Sequence, residues 1–240
     1  MGVILTKVTI DTNTRDPAVK AVAALDDDLR GGMYAFIRKA RRPVSREEAA
    51  AAVGISRKLA AFHLDKLVDA GLLRVGSTAA RKVGRAPKVY EPGGTDIQVS
   101  IPPRHHDVLA GILLDAVLTE GEDENAREAT TRVAGRRGED LGVAERDRNK
   151  PGRLGAERAL TLAEGVLARH GFEPSRDSPT CVRLRNCPFH PLTAKAPELV
   201  CGINHAFLSG FLTGLEAGGV SAVLAPAPDA CCVELRALRN

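Results

Sequence analysis

Five cysteines fall after residue 180: Cys181, Cys187, Cys201, Cys231 and Cys232. A thiolate is a soft donor, suited to zinc and to iron–sulfur clusters. Three separate elements each deliver such a sulfur: a loop at Cys187, the start of a helix at Cys201, and a strand at Cys231 or Cys232. Pro188 restrains the loop, and a helix N-terminus favours the thiolate over the thiol at Cys201. No paired CxxC is present, so neither the zinc-ribbon nor the ferredoxin spacing applies. Free cysteine is also among the most buried residue types. Spacing alone leaves metal ligation and core packing equally open.

The apolar pattern predicts the elements that must carry these sulfurs. Val182 to Leu184 reads as a strand that breaks at Asn186–Cys187–Pro188. Leu199 to Leu215 reads as a helix, with Leu199, Ile203, Phe207, Phe211 and Leu215 on one stripe. Cys201, His205, Leu208 and Leu212 lie on another, and a helix apolar on both sides is buried. Residues 231–238 predict a strand with Cys231, Val233 and Leu235 sharing a face. Upstream, Val108, Ile112 and Ala116 beside Leu109, Leu113 and Val117 form a wide apolar helical face. Leu160 to Leu167 is an amphipathic helix ended by Gly171. The charged stretch 120–153 is broken by glycines and predicts two helices, over 124–135 and 139–148.

A second set of residues suits phosphate and base edges. Ser45 and Glu48 make a capping box, and the Ala-rich helix that follows stops at Gly54. Ser56 caps a longer helix closed by Gly71. Short helix, glycine turn and second helix is the layout of a helix-turn-helix. Ile55, Ala60, Leu64 and Leu67 are its core positions, so Ser56, Arg57, Lys58, Ala61 and Phe62 face the major groove, with His63 and Lys66 at the margin. Arg57 and Lys58 are the base-contact candidates. Phe62 suits a thymine methyl, a dimer surface or the core, and His63 a phosphate or helix-packing contact. Leu72 to Val75 and Lys88 to Glu91 predict two strands. From Arg74 to Lys88 there are five basic residues, Arg81, Lys82 and Arg85 among them, and no acidic one. This is a wing along the phosphate backbone. Helices around 19–25 and 30–40, with Met33, Tyr34, Phe36 and Ile37 as packing residues, support it.

Residues 1–98 hold 17 Lys/Arg against 11 Asp/Glu, whereas the remainder holds 17 against 19. A basic front joined to a slightly acidic back fits a nucleic-acid-binding domain with a separate sensing domain. The boundary falls in EPGGTDIQVSIPPR, residues 91–104, giving domains over 16–93 and 104–240. The fold class expected is α+β: an N-terminal winged helix-turn-helix joined to a C-terminal α/β sensing and dimerisation domain. No apolar run reaches the roughly 18 residues a membrane span needs, and no secretory signal stands at the start. A reducing, cytoplasmic setting is expected for the cysteines. No nucleotide loop, nucleophile elbow or metalloprotease helix occurs, so enzymatic activity is not expected.

The words HLDKLVDAGLL and GRAPKVY resemble the winged helix-turn-helix of bacterial ArsR-like regulators. NCPFH, PELVCGINHAFLSGFLTGL and CCVEL resemble the C-terminal half of SufR-like regulators, repressors that hold an iron–sulfur cluster and control iron–sulfur assembly genes. That resemblance covers most of the chain. It implies a 4Fe–4S cluster with ligands at Cys187, Cys201 and one of Cys231 and Cys232, Cys231 preferred. It leaves the fourth ligand open among Cys181, His190, His205 and Cys232. It also implies a homodimer on a double-stranded DNA operator, and no membrane. Structural zinc or a small-molecule effector is the alternative to the cluster.

Overall fold

The structure, a computed structural model, describes residues 17–77, 87–94 and 96–238. Contacts divide the chain into two units, one up to Val99 and one from Ser100.

In the first unit, α1 (Pro17–Leu25) and α2 (Asp28–Ala40) precede a short strand β1 (Val44–Ser45). Then come α3 (Arg46–Ala52), α4 (Arg57–Asp69), β2 (Leu73–Ser77) and β3 (Lys88–Pro92). The helix starts are written locally. The Ser45 Oγ accepts the Glu48 N–H at 3.2 Å, and the Glu48 carboxylate accepts the Ser45 N–H at 2.8 Å. The Ser56 Oγ accepts the Leu59 N–H at 3.3 Å and opens α4. Gly54 and Gly71 end the two helices at φ +72° and +73°, a left-handed turn that a side chain resists. β3 lies between β1 and β2, antiparallel to both, with Tyr90 opposite Val44 on one side and Val75 on the other. Met33, Ile37, Ala49, Ala60, Leu64, Leu67 and Tyr90 fill the core, and Tyr34, Phe36 and Ile55 pack at its edge.

The second unit runs α5 (His106–Leu118), α6 (Ala126–Asn149), α7 (Ala156–Arg169), β4 (Pro174–Ser178), β5 (Cys181–Leu184), α8 (Leu192–Lys195), α9 (Pro197–Gly214), β6 (Val220–Leu224) and β7 (Val233–Ala237). The sheet order is β4-β5-β7-β6, antiparallel throughout. Helices and an antiparallel sheet make this unit α+β, not the α/β arrangement expected for it. Strands β4 and β6 and the short α8 were not anticipated from the pattern. α7 and α9 both touch the sheet, burying Leu160, Leu167, Phe211 and Leu212 in one core with Val182, Leu184, Val233 and Leu235.

One helix, α6, replaces the two expected over 124–135 and 139–148. The glycines that suggested a break are points where α9 comes into backbone contact. A Cβ at Gly138 would fall on the Phe207 carbonyl, 2.8 Å from its carbon, and one at Gly142 would lie 2.7 Å from the Leu215 nitrogen. From the other side, a Cβ at Gly210 would lie 2.8 Å from the Gly135 carbonyl carbon, and one at Gly214 2.9 Å from that of Glu139. An Asn125–Glu128 capping box starts α6.

Candidate functional site

On the first unit, Ser56, Arg57, Lys58, Phe62 and Lys66 are exposed along α4, and Lys88 is exposed on β3. Arg57 Nε pairs with Glu47 at 2.7 Å across two well-exposed side chains, a partner it can exchange for a phosphate or a base. Lys66 Nζ lies 5.7 Å from the centre of the Phe62 ring, which stays 56% exposed. His63 departs from the expected groove margin. It is buried, with Nδ1 3.8 Å from Asp27 at the start of α2, so it packs helices together and does not reach the face that Phe62 presents. Its position three residues after Ala60 and four before Leu67 puts it on the inner stripe. Arg81, Lys82 and Arg85 lie outside the described residues.

In the second unit, Cys187, Cys201, Cys231 and Cys232 come together. Their thiols contact one another in a chain, Cys187 to Cys231, Cys231 to Cys232, and Cys232 to Cys201. The loop after β5, the first turns of α9 and the lead-in to β7 supply them. Cys231 precedes the strand predicted to include it, and its N–H donates to the Leu184 carbonyl at 2.8 Å, so it sits at the end of β5. Cys181 begins that same strand, roughly 10 Å away along it, and faces Arg236 on β7. His205 Nε2 is engaged by the Ala222 carbonyl at 3.2 Å, and His190 is exposed. Of the candidates for a fourth sulfur or nitrogen, Cys232 is the one that joins the others, in contact with both Cys231 and Cys201.

Electrostatics in this pocket run against the expectation that a helix end would favour the thiolate. The hydrogen bond to Cys231 and then burial push Cys187 far above the ordinary thiol range. Cys187 draws Cys231 down, but Cys232 and burial outweigh it and push Cys231 up to about 12. Burial raises Cys201, opposed by its hydrogen bond with Cys232. These upward shifts of Cys187, Cys201 and Cys231 favour the thiol over the thiolate, so ligation works against them and releases protons. Backbone N–H groups of Phe189 and His190 point at Cys187, and that of Val233 at Cys231. Such donors stabilise a ligating thiolate. The donor set therefore fits a group that takes soft ligands. Among the described residues no three His, Cys, Asp or Glu side chains are gathered as they would be around a single metal ion.

Residues not singled out by the pattern hold this pocket. Arg104 donates to the Cys187 carbonyl at 3.0 Å and to the Asn186 side chain. Asn186 in turn donates to the Pro103 carbonyl at 3.1 Å, and the His105 N–H to the Pro188 carbonyl at 2.9 Å. Asn204, one turn after Cys201, is fully buried. Its Nδ2 donates to Cys231 Sγ at 3.0 Å, while its Oδ1 has no partner. A polar residue beside Ile203 on a buried helix is a signal the sequence carried; the Arg104 contacts left none.

A family model described as a helix-turn-helix domain matches residues 25–76, from the end of α1 into β2. The first unit thus carries a helix-turn-helix domain, which points to a DNA-binding transcription regulator. No curated protein and no solved structure shows a significant match to the chain. Among the described residues no helix is long and apolar enough to cross a membrane.

Proposed function

We propose that the protein is a homodimeric transcription regulator of the SufR-like kind, a cytoplasmic repressor. Its affinity for double-stranded DNA would depend on an iron–sulfur cluster held by Cys187, Cys201, Cys231 and Cys232. The observation that carries this reading is the contact of four thiols, drawn from three elements, in the unit that follows a helix-turn-helix domain. Four thiolates are the donor set of a 4Fe–4S cluster. When bound, such a cluster supplies an oxidant-sensitive tie among loop, helix and strand.

The chain's own residues do the rest. Ser56, Arg57 and Lys58 enter the major groove at the start of α4, with Arg57 and Lys58 on base edges. Lys66, Lys88, Arg81, Lys82 and Arg85 neutralise phosphates. Two copies present their recognition helices to successive grooves about 34 Å apart. Leu114, Val117 and Leu118, exposed on α5 although the helix is apolar on its inner side too, offer a surface for pairing. Cys201 rides on α9, whose backbone is in contact with α6. Displacing α9 therefore moves a rigid pair. A coupling of about 1–3 kcal/mol suffices for a 5–150-fold change in operator affinity.

Anaerobic purification tests the reading. A brown protein with about four iron and four sulfide per chain, losing operator affinity as air bleaches it, is the expected result. Colourless protein without iron, or zinc-loaded protein whose DNA affinity is indifferent to air, overturns it.

A further inference from the structure

We propose that Asn204 is a positioning residue for the thiol group: its side-chain amide donates to Cys231 and holds that sulfur as a ligating thiolate. This rests on the reading of the four thiols as metal ligands. Asn204 is fully buried on α9, between Ile203 and the Phe207–Leu208 turn, with its Nδ2 3.0 Å from Cys231 Sγ. Cys231 is itself 2% exposed, so no water competes for that hydrogen bond. An amide N–H facing sulfur is what a thiolate requires, since a thiolate can only accept.

The other half of the same amide argues for function over packing. Oδ1 is buried and accepts nothing among the described residues, which costs folding stability. Leucine repeats its branched outline and would leave no unpaired acceptor, but it is larger, whereas alanine is smaller. A residue kept for packing alone responds to these two changes of size in different degrees. A residue kept for the sulfur responds to the loss of the amide in both.

The test uses the full chain, reduced and metal-free, titrated anaerobically with cobalt(II) and followed by the thiolate-to-cobalt absorption. Asn204→Leu and Asn204→Ala, one larger and one smaller than asparagine, are both expected to bind cobalt roughly 10–100-fold more weakly. In iron–sulfur-loaded protein both variants should have a more negative midpoint potential, because a hydrogen bond that offsets added negative charge is gone. Unchanged cobalt affinity overturns the inference. So does weakening in only one of the two variants, since a packing role follows the size of the side chain and the hydrogen bond does not. If wild-type protein binds cobalt but never a cluster, the iron–sulfur reading fails while the Asn204 comparison still decides this one. If wild-type protein binds neither, both fall.

Discussion

Replacing Gly210 by alanine sets two effects of known sign against each other. Alanine in place of glycine inside a helix gains about 1 kcal/mol from backbone propensity alone. At Gly210 the new Cβ would land on the Gly135 carbonyl, 2.8 Å from its carbon and 3.1 Å from the Glu139 nitrogen. Carbon contacts are comfortable at about 3.5–4.0 Å, so the two helices must part by roughly 1 Å. The obstacle is backbone on the facing helix, which cannot swing aside as a side chain would. Overpacking a tight interface costs about 1–3 kcal/mol, occasionally more, and a backbone obstacle belongs at the upper end. The net expectation is a loss of about 2 kcal/mol, a sizeable share of a stability of about 5–15 kcal/mol. Gly165 on α7 provides the control. It is exposed, and its Cβ would meet nothing nearer than the flexible tip of Arg169 at 4.0 Å. Gly165→Ala should therefore gain up to about 1 kcal/mol. Urea denaturation of wild type and both variants separates the terms, given unchanged slopes. A Gly210→Ala midpoint equal to or above wild type would refute backbone contact between α6 and α9. Iron retention should fall in the same variant, because Cys201 lies on the helix that is displaced.

Cys232→Ser should abolish stable metal retention while Cys181→Ser leaves it intact, read by iron and sulfide content after anaerobic purification; equal effects would undo the grouping of the four thiols. Arg57→Ala should weaken operator binding far more than random-DNA binding, whereas Arg85→Ala should weaken both and flatten the salt dependence in a binding titration. The hydrogen bond from Arg42 and the Ser45 backbone N–H hold Glu48 at about 2, below its ordinary 4.5. A lowered carboxyl contributes stability that is present above 4.5 and lost as pH falls towards 2. Glu48→Gln should flatten the thermal midpoint of the first unit across that window. Ser45→Ala, which removes the other half of the cap, should cost about 1 kcal/mol at neutral pH. An unchanged acid limb in Glu48→Gln would mean the box contributes nothing to folding.

The helix-turn-helix was legible because its signals are local. Ser45 with Glu48, Gly54, Ser56 and Gly71 each act within one turn of where they stand, and the structure uses every one of them. His63 was open between a phosphate contact at the groove margin and a helix-packing contact, and its spacing from Ala60 and Leu67 sets it on the packed face. In the second unit the decisive partners are distant in the chain. A glycine inside a charged helix carries the same local message whether it breaks that helix or admits a neighbour. Only the matching run of Gly210 and Gly214 some seventy residues later distinguishes the two. β4, PSRDS, is an edge strand of mostly polar residues, and its membership in the sheet comes from pairing with β5.

The cysteines pose the same problem in its sharpest form. Their types announced soft-ligand chemistry, yet their spacing could not tell a pocket from a scatter through the core. Antiparallel pairing of β5 with β7 resolves it. That register sets Cys181 opposite Arg236 at one end of β5, and brings Cys231 to the Leu184 carbonyl at the other, beside the loop that carries Cys187. A shift of pairing by one residue would turn the alternate faces of β7 over and carry Val233 and Leu235 out of the core, so apolar burial specifies the register. Burial of Val182, Leu184, Val233 and Leu235 thus selects which thiols meet, and Asn204, buried with half its hydrogen bonding unmet, is the polar residue retained where they do.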